Sequence, residues 1–232
     1  MNRNLTLAIH FVLDYLLPPV LRDSRWFMGG LFRLALGPKY RYYLEFKERL
    51  PWLSDQEIGH YYTLLADTFI RRPTDLNRQS AEAVFGRVKG GSVLDVACGS
   101  GWLSNELAKR GFQVTGADIV PPKEGGQNPL FCAADVCRLP FPDKCFDTVV
   151  CTHTLEHVRD PRKALSELRR VCRQRLIVIV PRQREYRYTF DLHIHFFPYA
   201  YRLQELMSTR AQIVDVGGDF LAQEDFEHER LQ

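Results

Sequence analysis

The chain has 232 residues, 45% of them hydrophobic and 25% charged, the balance of a globular protein with one sizeable core rather than a disordered or fibrous one. Thirty-one basic residues against twenty-eight acidic ones leave a formal charge of +3, too little to draw a nucleic-acid partner by charge alone. Six cysteines without a C-x-x-C pair argue against a disulfide scaffold or a metal site and fit a reducing cytoplasm.

In chain order, Leu5 to Leu17 is strongly apolar, interrupted by Thr6, His10 and Asp14, which on a helix make one narrow polar stripe. The run is too short and too polar to span a bilayer, and no small-residue cleavage site follows it. Two readings stand: a helix packed on the main domain, or a helix lying in a membrane surface. Residues 1 to about 85 contain no convincing strand, and Pro18-Pro19, Gly29-Gly30, Gly37-Pro38 and Pro51 cut them into short helical pieces. Ser54 followed by Glu57 is a capping box opening a helix through Thr68, and Ser80 to Val88 is a further amphipathic piece. Residues 1–80 are read as a helical N-terminal extension or lid, too rich in aromatics to be left in water.

From Ser92 the pattern changes to strands alternating with helices or loops, the sign of a mostly parallel α/β sheet. Expected strands are Val93–Val96, Gln113–Ile119, Leu130–Ala134, Phe146–Cys151 and Leu176–Val180, then Gln212–Val216 and a weaker last strand near Phe220–Gln223. Asp160-Pro161 opens a helix carrying Leu165, Leu168 and Val171 on one face. Pro121 to Pro129 is too short and too rich in proline and glycine for a full crossover helix, so a loop or single turn is expected there. A helix from about Pro198 to Met207 precedes the Gln212 strand, and Gly217-Gly218 suits a hairpin into the last one. The fold class is therefore Rossmann-like α/β, with a six- or seven-stranded sheet over residues 81–232 and helices on both faces. Seven arginines between Arg169 and Arg187 face one acid, Glu185, which reads as a solvated face or as a site for an anionic substrate.

Four landmarks stand at successive strand ends: Asp95 with the loop to Gly101, Asp118, Asp135 in AADVCRLPF, and FDTVVC running into THTLEH. Together they resemble the class I S-adenosylmethionine-dependent methyltransferases of the type 11-like group, over roughly residues 80 to 181. The resemblance implies S-adenosylmethionine as cofactor, held by Asp95, Ala97, Cys98, Gly99 and Gly101 in the first loop. It further implies Asp118 on the ribose hydroxyls with Ile119 beside it, Asp135 and Val136 at the adenine, and Thr152 after the fourth strand. Ala97 departs from the family's usual glycine, and the loop is expected to admit the cofactor if its φ is negative. The missing third glycine of G-x-G-x-x-G and the acid at Asp135 argue against a nicotinamide oxidoreductase.

Methyl transfer from a sulfonium chiefly requires positioning in a dry site, with a base only for a hydroxyl or protonated amine acceptor. His153 is the candidate base, with His157 behind it; Glu156 and His157 also read as a local structural pair. Tyr188, Asp191 and His193, with Arg182 and Arg184, are candidate acceptor-side residues, and no metal is expected. The expected activity is methyl transfer to oxygen or nitrogen of a small molecule or an anionic glycan or lipid intermediate. The alternative is a catalytically silent cofactor-binding module working through a protein or membrane partner. A cytoplasmic protein, with peripheral membrane contact through residues 5–17 as the other reading, completes the expectation.

Overall fold

The computed structural model describes residues 12, 16–65, 73–123, 126–189 and 191–226. Contacts divide the chain into two compact units, Met1–Arg72 with Arg184–Ile194, and Pro73–Gln183 with His195–Gln232. The expected helix over Leu5–Leu17 falls largely outside the described residues.

The first unit is helical. Helix α1 (Pro19–Arg22) leads into α2 (Arg25–Leu36), capped by Ser24, whose hydroxyl accepts from the Phe27 amide at 3.4 Å. Met28 and Phe32, one turn apart, are the residues α2 buries, as the helical repeat requires. Helix α3 (Tyr40–Arg49) meets them with Tyr43, Leu44 and Phe46. The capping box opens α4 (Asp55–Leu65) as expected: the Ser54 amide donates to Glu57 Oε2 at 2.7 Å and the Glu57 amide to Ser54 Oγ at 3.3 Å. Tyr186, Tyr188 and Leu192 complete this core, so 184–194 serves the helical unit. Lys47 Nζ donates to the Tyr186 carbonyl, and Tyr62 donates to the Leu192 carbonyl at 2.8 Å.

The second unit is built on β1 (Ser92–Val96), β2 (Gln113–Asp118), β3 (Leu130–Ala133), β4 (Phe146–Thr152), β5 (Cys172–Pro181), β6 (Gln212–Asp215) and β7 (Asp219–Asp225). Sheet order is β3-β2-β1-β4-β5-β7-β6, with β1 to β5 parallel and β7 antiparallel to both β5 and β6. The weak last strand is thus present, and the sheet has seven strands. Its central strands alternate strictly: Leu94, Val96, Val149, Cys151, Leu176 and Val178 face one core with α7 (Pro161–Val171). Val93, Val150, Ile177 and Ile179 face another with α5 (Arg78–Phe85) and α6 (Trp102–Lys109). Helices on both faces explain the near-continuous apolar runs.

Two expectations shift and one holds. Strand β5 starts at Cys172 rather than Leu176, because its polar lead-in is paired: Arg173 with Asp147 and Arg175 with Asp225. The helix expected over 198–207 shortens to α8 (Ala200–Gln204), and Tyr199 supplies no side-chain cap. The β2–β3 link has no helix among its described residues, as expected. Asn128 closes it, its Oδ1 accepting from the Val114 amide at 2.9 Å and its Nδ2 donating to the Phe112 carbonyl at 2.7 Å.

Candidate active site

Asp95, Asp118 and Asp135 lie at the carboxyl ends of β1, β2 and β3, which are adjacent in the sheet, the edge where open parallel sheets bind ligands. Asp95 is buried and its Oδ2 accepts from the Ser104 hydroxyl of α6 at 2.6 Å. Burial pushes its carboxyl up to about 7, against the lowering effect of the Ser104 bonds, so its ionised form gains from a nearby cation.

The loop after β1 turns sharply. Ala97, Gly99 and Gly101 have φ of 57°, 53° and 75°. The condition of a negative φ at Ala97 is not met; alanine occupies the conformation glycine would take, at a cost of about 1–2 kcal/mol. The Cys98 amide ties the turn to the Ala117 carbonyl at 3.1 Å, and burial raises the Cys98 thiol well above its ordinary value. A β-carbon on Gly101 would sit 2.6 Å from the Phe131 ring, so size and conformation both demand glycine there. One on Gly99 would meet nothing, which leaves open space beside the turn.

Asp118 fastens this loop to β2. Its Oδ2 accepts from the Gly99 amide and its Oδ1 from the Val120 amide, both at 2.9 Å. Each oxygen keeps a second lone pair, enough for the two hydroxyls of a ribose. Ile119 and Val120, directly beyond, are 70% and 69% exposed, an uncovered apolar surface suited to a flat ring. Asp135 is exposed, and its Oδ1 accepts from the Cys137 amide at 2.8 Å, an Asx turn that holds the acid outward. Its neighbour Val136 is buried in the core. The LPF segment that follows is clamped by Arg170, which donates to the Leu139 and Phe141 carbonyls at 3.0 and 2.7 Å. The open space at Gly99, the spare acceptor capacity of Asp118 and the exposed Ile119 fit a nucleoside with a charged amino acid tail.

Beyond β4 the chain behaves differently. Thr152 ends the strand, half buried, and the Thr154 hydroxyl donates back to its carbonyl at 2.9 Å. His153 is also left-handed, with φ of 50°, and is held by its amide bond to the Ile179 carbonyl at 2.8 Å. Its ring lies between Glu156 and Asp219. Burial alone would lower its proton affinity; the two carboxylates outweigh that and raise it to about 10. His157 is half buried, its amide donating to the Thr154 carbonyl at 2.9 Å.

The remaining candidates are divided between the two units. Arg182 pairs with Asp215 at 2.7 Å, and Arg184 is exposed. Tyr188 and His193 are buried and Asp191 is half buried, all in the helical unit. The basic run is mostly taken up internally: Arg169 with Glu224, Arg170 with Glu167, Arg173 with Asp147, Arg175 with Asp225, Arg182 with Asp215 and Arg187 with Glu48. Sequence reasoning missed Ser104, Phe131 and Asp219. Phe131 had a detectable signal, since an aromatic opposite a strand glycine, here Gly116 in register, shields the exposed backbone.

The sheet order and the three strand-end acids are the arrangement seen in Rossmann-like methyltransferase folds. Residues 94–180 match the family model described as a methyltransferase domain. A demethylmenaquinone methyltransferase of Renibacterium salmoninarum is 32% identical over 120 residues, 50% of this chain and 51% of that protein. A ubiquinone biosynthesis O-methyltransferase of Idiomarina loihiensis is 39% identical over 83 residues, 32% and 34% of the two chains. The chain thus spans about half or less of these relatives' length. Among solved structures, a SAM-dependent methyltransferase from Aquifex aeolicus gives a TM-score of 0.51 at 20% identity, covering 63% of this chain and 89% of that one. Magnesium protoporphyrin IX methyltransferase from Synechocystis with bound SAH gives 0.54 at 18% identity, covering 75% and 100%. The [4+2]-cyclase SpnF gives 0.53 at 21%, covering 70% and 74%.

Proposed function

We propose that this protein is an S-adenosylmethionine-dependent methyltransferase acting on a small molecule. The observation that carries the reading is Asp118, a strand-end carboxylate that fixes the glycine loop yet retains acceptor capacity for a ribose. Asp95 would take the charged amino group, Asp118 the ribose hydroxyls and Asp135 the adenine amine. Gly99, Gly101, Ala97, Cys98, Ile119, Val136 and Thr152 would shape the surrounding wall. When bound, the cofactor supplies an activated methyl on sulfur whose positive charge disappears on transfer, so the protein's task is alignment and exclusion of water. The helical unit is proposed as the lid.

Of the acceptor classes, the lipid-like intermediate has the most support. The relatives are named a demethylmenaquinone methyltransferase and a ubiquinone biosynthesis O-methyltransferase, whereas the internally paired arginines withdraw support from an anionic group. His153 is not proposed as the base, since Glu156 and Asp219 on either side raise its proton affinity. His157 takes over as candidate, and the same observation gives the silent cofactor-binding module its standing as the second reading. The deciding experiment is transfer of labelled methyl from S-adenosylmethionine to fractionated cell extract. Label should enter an organic-soluble fraction with the wild type, with Asp118→Ala reduced about a hundredfold, the scale of lost charge-assisted bonds. Cofactor binding without transfer to any fraction would favour the silent module.

Peripheral membrane contact is proposed on Val20, Trp26, Leu34 and Trp52, strongly exposed residues of the helical unit. No described helix is long and apolar enough to cross a membrane. Flotation with liposomes should carry the wild type upward and leave Trp26→Ser/Leu34→Ser behind; equal recovery of the two sinks the idea.

A further inference from the structure

A buried ionic cluster closes the other end of the sheet's carboxyl edge. His153 Nδ1 lies 3.5 Å from Glu156 Oε1, and Nε2 lies 3.5 Å from Asp219 Oδ2. The three side chains are 13%, 1% and 3% exposed. Asp219 opens β7 and also accepts from Ser80 Oγ at 2.6 Å and Asn77 Nδ2 at 2.9 Å. Asn77 caps α5 and Ser80 lies in its first turn, while Asn77 also donates to the Val216 and Gly217 carbonyls at 2.7 and 3.1 Å. The cluster therefore joins the start of α5, the β6–β7 turn and the loop after β4. Glu156 shows why a cation is needed: among the described residues both its carboxylate oxygens are buried without a hydrogen-bond donor, and His153 Nε2 is buried without an acceptor at hydrogen-bond geometry; a buried carboxylate charge persists in a protein only when compensated. The charged or titratable groups facing the ring are Glu156 and Asp219, and His157 lies within 4.8 Å of Glu156. With the ring charged the trio carries a net charge of about −1, and with the ring neutral about −2.

We propose that His153 is a positioning residue, an imidazolium that clasps Glu156 to Asp219 and thereby holds the post-β4 loop against β7 and α5. That the loop borders the methyl acceptor rests on the methyltransferase reading; the clasp does not. The left-handed backbone at His153 agrees with this role, since a strained conformation persists only where its surroundings over-determine it. The raised proton affinity of the ring points the same way.

Three measurements test the clasp on the full chain. In side-chain nitrogen NMR, both ring nitrogens of His153 should keep imidazolium shifts at pH 8, where an ordinary histidine is neutral; a neutral ring at that pH overturns the proposal. In amide hydrogen exchange, His153→Gln should speed exchange across residues 152–158 about tenfold or more while α6 is unchanged; an unaltered loop overturns it. The double variant His153→Gln/Asp219→Asn returns the trio to about −1, so it serves if the single variant fails to fold, and its loop should be as loose as the single's. Affinity for S-adenosylhomocysteine should change less than about threefold in either variant. A tenfold loss would place His153 in the cofactor site instead. Failure of the clasp leaves the Asp118 result standing, and failure of methyl transfer leaves the NMR and exchange results standing.

Discussion

The loop after β1 and the loop after β4 leave neighbouring parallel strands at the same edge of the sheet; each contains a left-handed residue with a side chain, and each strand–loop junction carries a buried acid, Asp95 near the end of β1 and Glu156 just beyond β4. They solve the charge problem oppositely. Asp95 has hydrogen bonds from Ser104 but no cation beside it among the described residues, and burial pushes its carboxyl up to about 7. Glu156 lacks hydrogen-bond donors among the described residues but has the His153 ring. A loop that leaves its acid uncompensated gains stability from an incoming cation, as a binding loop should. A loop that carries its own cation is complete without a ligand, as a structural support should be.

Neutralising each acid should break this symmetry, and it is the largest effect expected. Asp95→Asn removes a buried charge that has no counter-ion. The folded carboxyl lies above its unfolded value, so its ionisation lowers stability as pH rises from about 4 to about 7. The variant should therefore melt about 5 °C higher at pH 8 and show no gain at pH 4, while losing about tenfold in S-adenosylmethionine affinity. Glu156→Gln should melt about 5 °C lower at pH 8, because one side of a buried cation is unpaired. The histidine's folded value is raised, so the clasp contributes fully below about 6.5 and is lost as pH climbs through about 10. The Glu156→Gln deficit should shrink over that range. Melting curves at several pH values check both variants, and shifts of the same sign would end the contrast.

A smaller effect sharpens the same comparison through the backbone. Ala97→Gly relieves the left-handed strain of about 1–2 kcal/mol and gives back about 0.5–1 kcal/mol in chain entropy. The expected net is a rise of about 1–3 °C in Tm. His153→Gly relieves similar strain but removes the cation and should fall instead, a difference that urea unfolding of the two variants would measure.

Much of the fold was legible because the signals are local. Strand burial followed the apolar runs, the Ser54–Glu57 box and the Asp160 cap opened their helices, and the missing crossover helix followed from prolines and glycines. The strand-end positions of Asp95, Asp118 and Asp135 were legible from their spacing. The charge partners of the residues beyond the fourth strand were not. His153 looks like a base in the sequence because nothing near it reveals Asp219, which is sixty-six positions away and reaches it only through the antiparallel return of β7. The arginine run looks like an anion site because its acids are remote: Arg169 finds Glu224 and Arg175 finds Asp225 across the sheet.

The sequence alone determined where strands, turns and caps fall, since backbone preference and apolar period act over a few residues. Tertiary structure alone decided which charges are compensated. Whether Asp95, Glu156 and the arginines have partners depends on long-range pairing, and a charge's proton affinity is set by what folding brings within a few ångströms of it.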